Sequence, residues 1–348
     1  MLEHNVNAAT RTRALEHART LMPSQPGRVA LCGILLLSLL PTPGLEGGEN
    51  LQRFVNGLMR GRRGAVIVAN PTTGELLAVW NPHTAFDQAF PPGSTAKLVI
   101  SAAALEEGLL SPRDQIFCRR VPERLGEAYH CSHPQVGAPF TLTSALANSC
   151  NCFFAALSAR LSSGALAHWY AVFGFGSLVS GLGSNATAGR VQINAGAVDK
   201  ARAALGERTV LVTPAQLLLA YAALATRGPV LRPWRSQSGV GTSSLLLRRV
   251  RLQAKTFEIL SAGLEECVRS GTGMAAAVPG VRVAGKTGTA TALDGSGVAH
   301  AWFVGYAPVG EPEIALVLFL ERGTGTRDAA PLAGRILKCH FSRKNRKS

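Results

Sequence analysis

Val281-Arg282-Val283-Ala284-Gly285-Lys286-Thr287-Gly288-Thr289-Ala290-Thr291 reads as one strand running into the turn Asp294-Gly295-Ser296-Gly297. In a strand, Lys286 and Gly288 share one face, and the missing side chain at Gly288 leaves the backbone open to close approach. Two more strand candidates follow, His300–Tyr306 and Glu313–Glu321, joined by the turn-rich Pro308–Pro312. Far upstream, Ala65–Ala69 and Glu75–Trp80 flank Asn70-Pro71-Thr72-Thr73-Gly74 and read as a hairpin. Between these groups the chain reads mainly helical. Ser94–Glu107 is rich in Ala and Leu and stops at Gly108, and Leu142–Asn148 is helix-like. Thr213-Pro214-Ala215-Gln216 is a capping box with Pro at the first helical position, opening a helix to about Thr226. Asp328–Cys339 reads as a closing helix. Strands at both ends with helices between bring the ends into one sheet. The expected fold is α+β: a five-stranded antiparallel sheet flanked by helices, with an all-helical subdomain.

The remaining composition fits this. The chain has 348 residues, 47% of them apolar and 16% charged, which argues against disorder and leaves ample core. No repeat period and no apolar run of 18 residues or more is present, which excludes solenoids and multi-span membrane proteins. The net charge is +15, and 29 of the 36 basic residues are Arg. Such a charge suits anionic partners, but the chain shows no C₂H₂ spacing, RNP-like aromatic run or basic-zipper heptad, so no nucleic acid partner is expected. Solubility in an Arg-rich proteome is the plainer reading.

Residues 1–28 are polar and carry Arg11, Arg13, Arg19 and Arg28, and an apolar run follows from Val29 to Leu40 before Pro41-Thr42-Pro43-Gly44. Twelve apolar residues are short for a membrane span and suit the apolar region of a signal peptide. Residues 1–44 are therefore read as a signal peptide or N-terminal signal anchor with a polar lead-in, 45–62 as a short linker, 63–340 as the catalytic domain, and 341–348 as a basic tail. The chain is expected to be exported to the periplasm or the outer face of the cytoplasmic membrane. Cleavage or retention of 29–40 as an anchor stays open. Export permits cysteine pairing, and Cys118 and Cys131 bracket a loop-like stretch that a bridge can close, although sequence does not fix the connectivity. His130 and His133 beside Cys131 raise a zinc site, but the paired short spacings of structural zinc sites are missing. No metal is expected.

Three short motifs carry chemistry. Ser94-Thr95-Ala96-Lys97 follows Pro91-Pro92-Gly93 at a helix start, where Ser and Lys three apart share a face with a rise of about 4.5 Å. A lysine with a lowered pKa can take the hydroxyl proton and make Ser94 a nucleophile, with helix N-terminal N–H groups ready for an oxyanion. Ser149-Cys150-Asn151 places a hydroxyl and an amide two residues apart, suited to proton relay and to holding a substrate amide. Lys286-Thr287-Gly288-Thr289 offers a cation and hydroxyls to a carboxylate. From this composition, chance supplies about half an S-x-x-K and about 0.7 S-x-N, but only about 0.05 K-T-G. All three in this order is a coincidence of a few parts in a thousand.

This set resembles the active-site motifs of penicillin-binding proteins and serine β-lactamases. The likeness extends to Arg63–Val68, Thr73–Ala78, Val212–Gln216, Gly271-Thr272-Gly273 and Ala301–Tyr306, and covers about Arg60 to Cys339. It implies a D,D-transpeptidase with Ser94 as acylated nucleophile and Lys97 as general base. It further implies that Ser149 shuttles a proton to the leaving amine, Asn151 holds the substrate amide and Lys97, and Lys286 supports the relay. Thr287, Gly288 and Thr289 would line the substrate, with the two threonines binding its terminal carboxylate. Backbone N–H groups of Ser94 and Thr289 would form the oxyanion hole. The implied partners are peptidoglycan stem peptides and β-lactams, with no cofactor. Because the domain follows the signal segment almost directly, a separate glycan polymerase is expected. Leu205-Gly206-Glu207-Arg208 stands where the family usually shows a glycine- and glutamine-containing turn. The rival readings are a D,D-carboxypeptidase, a serine β-lactamase, and a non-catalytic β-lactam sensor or cell-wall scaffold. The E-x-x-L-N string of class A lactamases is missing, and class D lactamases carry an apolar residue where Asn151 stands.

Overall fold

The computed structural model describes residues 43–135, 137–179, 186–235 and 245–344. Its central sheet contains β1 (Gly64–Ala69), β2 (Leu76–Trp80), β3 (Ala284–Thr291), β4 (Ala299–Ala307) and β5 (Ile314–Leu320). The strand order is β2-β1-β5-β4-β3 and every pairing is antiparallel. The two ends of the chain thus meet at the β1–β5 pair, with Val66 opposite Leu318. The five-stranded sheet expected from the sequence is present.

Helices cover both faces, which is why β1, β4 and β5 are continuously apolar rather than alternating. On one face, Ala65, Ile67, Trp302, Val304, Val317 and Phe319 join the larger core. On the other, Val66, Val68, Phe303, Leu316 and Leu318 pack with residues of α1 (Pro43–Met59) and α9 (Ala330–Lys344). Two boundaries are thereby corrected. The stretch 45–62, expected to be a linker, is largely helical, because Leu51, Val55, Leu58 and Met59 recur at helical spacing and are all buried. The closing helix runs on to Lys344, so 341–344 is helix rather than tail. The apolar run 29–40 and the last four residues lie outside the described residues. Among the described residues no helix is long and apolar enough to cross a membrane.

The middle of the chain supplies α2 (Lys97–Glu106), α3 (Leu142–Asn148), α4 (Asn151–Arg160), α5 (Ser163–Val172), α6 (Ala197–Ala204), α7 (Pro214–Ala225) and α8 (Ala254–Arg269). It is not all-helical. Three short antiparallel pairs interrupt it, Ile116–Phe117 with Pro139–Phe140, Arg190–Val191 with Val210–Leu211, and Pro229–Leu231 with Leu246–Arg249. Such two- to four-residue pairs are too short to show a period in sequence. The α7 capping box forms as expected: Gln216 N–H donates to Thr213 Oγ1 at 3.1 Å, and Thr213 N–H donates to Gln216 Oε1 at 2.9 Å. Every residue of α7 is buried, and its Tyr221 hydroxyl donates to the Thr95 carbonyl at 2.9 Å. The central helix therefore grips the turn that carries Ser94.

Candidate active site

Ser94 lies in a single 3-10 turn, Gly93–Ala96, that runs directly into α2, so Ser94 and Lys97 stay three residues apart on a helical path. Ser94 is half-buried and the rest of the turn is buried. Three contacts unseen in the sequence fix this turn: Tyr221 from α7, the Trp302 indole N–H donating to the Pro91 carbonyl at 3.0 Å, and the Gly93 N–H donating to Gly206 at 2.9 Å.

Lys97 is fully buried, and its Nζ lies 2.8 Å from the Ser149 carbonyl, 3.1 Å from Ser149 Oγ and 2.6 Å from Asn151 Oδ1. Burial, with the Lys286 ammonium nearby, pushes the Lys97 amine down to about 7, against the opposing pull of Cys150, Cys131 and Cys152. A neutral amine has two protons and one lone pair. The Ser149 carbonyl and Asn151 Oδ1 only accept, so they take the two protons and leave the lone pair for a hydroxyl. Asn151 Nδ2 in turn donates to the Tyr129 carbonyl at 3.0 Å, which sets the amide with its oxygen toward Lys97.

The S-x-N turn is a break between helices. Ser149 ends α3 in the left-handed region at φ 57°, and Cys150 precedes α4. Non-glycine residues adopt that conformation seldom, and here it turns Ser149 toward Lys97. The turn Gly271-Thr272-Gly273 abuts α3, with Thr272 N–H donating to the Ala147 carbonyl at 3.0 Å. The Thr272 and Thr287 hydroxyls lie 2.6 Å apart, linking this turn to β3.

β3 is an edge strand of the sheet. Lys286 is fully buried, burial holds its amine below the usual lysine range, and its Nζ donates to the Thr287 carbonyl at 3.1 Å. Thr287 is buried and Thr289 exposed, and Thr289 Oγ1 accepts the Gly325 N–H at 3.0 Å. Thr289 thus keeps its own hydroxyl proton for a carboxylate. Gly288 has a different reason from the one read in sequence. A Cβ there would lie 2.8 Å from the Pro92 carbonyl oxygen and 2.9 Å from Thr95 Cγ2. Its bare backbone admits the Ser94 turn against the strand.

All three motifs converge at the junction of the Ser94 turn, the α3–α4 break and β3. The turn Leu205–Arg208 is part of the same assembly: Gly206, at φ 71°, holds Gly93, and buried Glu207 beside it has its carboxyl pushed up from 4.5 to about 7 by burial, with Thr291, Arg208 and Arg202 opposing. A folded carboxyl with a raised pKa keeps a proton that the unfolded chain has lost, so this group's contribution to stability falls as pH rises from about 4.5 through about 7. Glu207→Gln is expected to flatten the decline in the urea midpoint between pH 5 and pH 7.5. An unchanged slope would show that Glu207 does not titrate in this window.

A sequence model described as the penicillin binding protein transpeptidase domain matches residues 64–338. Stage V sporulation protein D of Bacillus subtilis is 28% identical over 316 residues, 79% of this chain and 48% of that protein. The peptidoglycan D,D-transpeptidase PbpA of Mycobacterium tuberculosis is 26% identical over 335 residues, 79% of this chain and 66% of that protein. The chain thus spans about half to two thirds of the length of these relatives. Among solved structures, the TP domain of Burkholderia pseudomallei penicillin-binding protein 3 superposes with a TM-score of 0.72 at 24% identity, covering 87% of this chain and 93% of that one. The match over 64–338 spans all five strands of the sheet and all three motifs, and on that ground the chain belongs to the penicillin-binding protein transpeptidase domain family.

Proposed function

We propose that this chain crosslinks peptidoglycan stem peptides as a D,D-transpeptidase through an acyl-enzyme on Ser94, and that β-lactams acylate the same serine. The observation that carries the reading is Lys97: a fully buried amine, lowered to about 7, between Ser149 and Asn151 and one helical turn from Ser94. A scaffold has no use for a buried amine held near neutrality.

Ser94 Oγ attacks the carbonyl carbon between the two terminal D-alanines, and its proton passes to the Lys97 lone pair. The oxyanion forms at the N-terminus of the Ser94 turn, where the Ser94 and Thr289 N–H groups receive it. The C–N bond then breaks, and the leaving amine takes a proton from Lys97 through Ser149. An amine from a second stem peptide attacks the ester, returns a proton along the same relay, and releases Ser94 with a new amide. Thr287 and Thr289 hydroxyls, with the Lys286 charge behind them, bind the terminal carboxylate. The edge of β3 offers its backbone to the extended peptide.

Crosslinking presupposes polymerised strands, so a glycan-polymerising activity must supply the substrate. The same reading puts the reaction outside the cytoplasmic membrane, supported by the signal-like sequence 29–40, which would deliver a cleaved or anchored chain. The test is D-Ala release from a D-Ala-D-Ala donor peptide, with and without an acceptor amine. Release accompanied by a crosslinked product supports the transpeptidase. Release into water alone, whatever the acceptor concentration, replaces it with a carboxypeptidase.

A further inference from the structure

We propose that Cys118, Cys131, His133 and Cys150 form a tetrahedral zinc site that ties the loop following Ile116–Phe117 to the S-x-N turn of the active site. The sequence raises zinc only around Cys131, His130 and His133, where paired short spacings are missing; the folded set keeps Cys131 and His133, leaves out His130 and adds Cys118 and Cys150. The fold supplies the proximity that spacing does not. All four side chains are buried, and their ligand atoms lie within 4.8 Å of one another.

The geometry matches a metal rather than a disulfide. Cys118 Sγ lies 3.6 Å from His133 Nε2, and Cys131 Sγ lies 3.9 Å from Cys150 Sγ. Tetrahedral zinc with sulfur arms of about 2.3 Å separates two sulfurs by about 3.8 Å, and a bonded pair would stand at about 2.05 Å. Three thiols and one imidazole also form a donor set soft enough for zinc. The surroundings suit thiolates, since Arg120 N–H donates to Cys118 Sγ at 3.4 Å and Cys152 N–H to Cys131 Sγ at 3.5 Å. His133 is buried against Phe140, and its Nδ1 has no hydrogen-bond partner among the described residues. That leaves Nδ1 to carry the ring proton and Nε2 to bind the metal. Cys152 lies 3.7 Å from Cys131 but outside the four-atom set. Loading Zn²⁺ releases one proton from each of the three thiols and leaves a centre of net charge −1.

The site would act on chemistry by position. Cys150 is the middle residue of Ser149-Cys150-Asn151, and the loop that carries Cys131 also presents the Tyr129 carbonyl to Asn151. One ion thus fixes both the peptide and the partner that orient Asn151 toward Lys97. Zinc here is a positioning element, since none of its ligands touches the reacting atoms.

The full chain, produced with zinc in the medium and purified without chelator, is expected to hold one zinc by elemental analysis and native mass spectrometry. Replacement by Co²⁺ is expected to give thiolate charge-transfer bands and the intense visible bands of a tetrahedral site. Cys131→Ser should lose nearly all of the metal, whereas Cys339→Ser on α9 keeps it. If Cys131→Ser fails to fold, the cobalt spectrum of the unaltered chain decides. Removing zinc with a chelator should slow β-lactam acylation on the order of 10–100-fold, with recovery when zinc returns. No bound zinc, no tetrahedral cobalt spectrum, a Cys131–Cys150 disulfide in its place, or full zinc retention by folded Cys131→Ser would each overturn the proposal. Metal content is read separately from acylation, so a zinc-loaded chain that binds no β-lactam counts against the transpeptidase reading and leaves the metal site standing.

Discussion

Lys97→Met is expected to slow covalent capture of benzylpenicillin by about 10³–10⁴-fold, near the upper range for loss of a general base. Met fills nearly the same buried volume, so the helix and its packing stay, while the lone pair that receives the Ser94 proton disappears. The Ser149 carbonyl and Asn151 Oδ1 each lose a donor at 2.8 and 2.6 Å. That adds a desolvation cost of about 1–3 kcal/mol per unsatisfied acceptor, in part offset because no amine is then buried. The pH profile separates base from scaffold. Lys97 sits at about 7, and only its neutral form accepts a proton, so the wild-type acylation rate should rise through about pH 7 and level off above it. The residual rate of Lys97→Met should be flat across that range. Stopped-flow or quenched intact-mass kinetics from pH 5.5 to 8.5 reads both. A variant within tenfold of wild type, or one that keeps the rise through pH 7, would take the base role away from Lys97.

Gly288→Val should be nearly as damaging, for a mechanical reason. The added Cβ would come within 2.8 Å of the Pro92 carbonyl oxygen, 2.9 Å of Thr95 Cγ2 and 3.2 Å of Trp302 Cβ. Pro92 has little room to yield, since its carbonyl already accepts the Thr95 hydroxyl at 2.7 Å and Pro91 is held by Trp302. The strand and the Ser94 turn must separate, and a displacement of about 1 Å at a reacting group costs on the order of 100-fold in rate. Overpacking should also lower stability by about 1–3 kcal/mol. Gly288→Ala carries the same Cβ without the branches, so it should lie between wild type and Val in both acylation rate and urea midpoint. A Val variant that acylates at the wild-type rate would show that the interlock does not position Ser94.

The sheet was legible because β1, β4 and β5 are apolar on both faces and bounded by turns, and because the K-T-G motif on β3 is improbable by chance. Ser94 and Lys97 were legible for a local reason, since three residues on one helical path fix their separation before any tertiary contact forms. Contacts that close over long separations were not. Tyr129 reaches Asn151 across 22 residues, Tyr221 reaches Thr95 across 126, and Trp302 reaches Pro91 across 211, all through backbone carbonyls that leave no mark on composition. Gly288 was assigned to ligand approach because a glycine in a strand says only that something comes close, not what does. The first helix is hard to read because Gly44, Gly47 and Gly48 at its start weaken the helical signal, although the later spacing of Leu51, Val55 and Leu58 is helical. The cysteine cluster was hidden for a like reason: Cys118, Cys131 and Cys150 are spread over a loop and a helix break that only the folded chain brings together.

The central claim is that Ser94 is an acylated nucleophile whose ester with a β-lactam resists water. The most direct measurement is a time course of intact mass after mixing the full chain with benzylpenicillin, beside Ser94→Ala, with the adduct located by peptide mapping. The expected result is one added penicillin per chain, on the peptide containing Ser94, persisting for many minutes, and no adduct on Ser94→Ala. An adduct that clears within seconds would make the chain a β-lactamase. An adduct equally present on Ser94→Ala, or none on wild type, would contradict the acyl-enzyme itself.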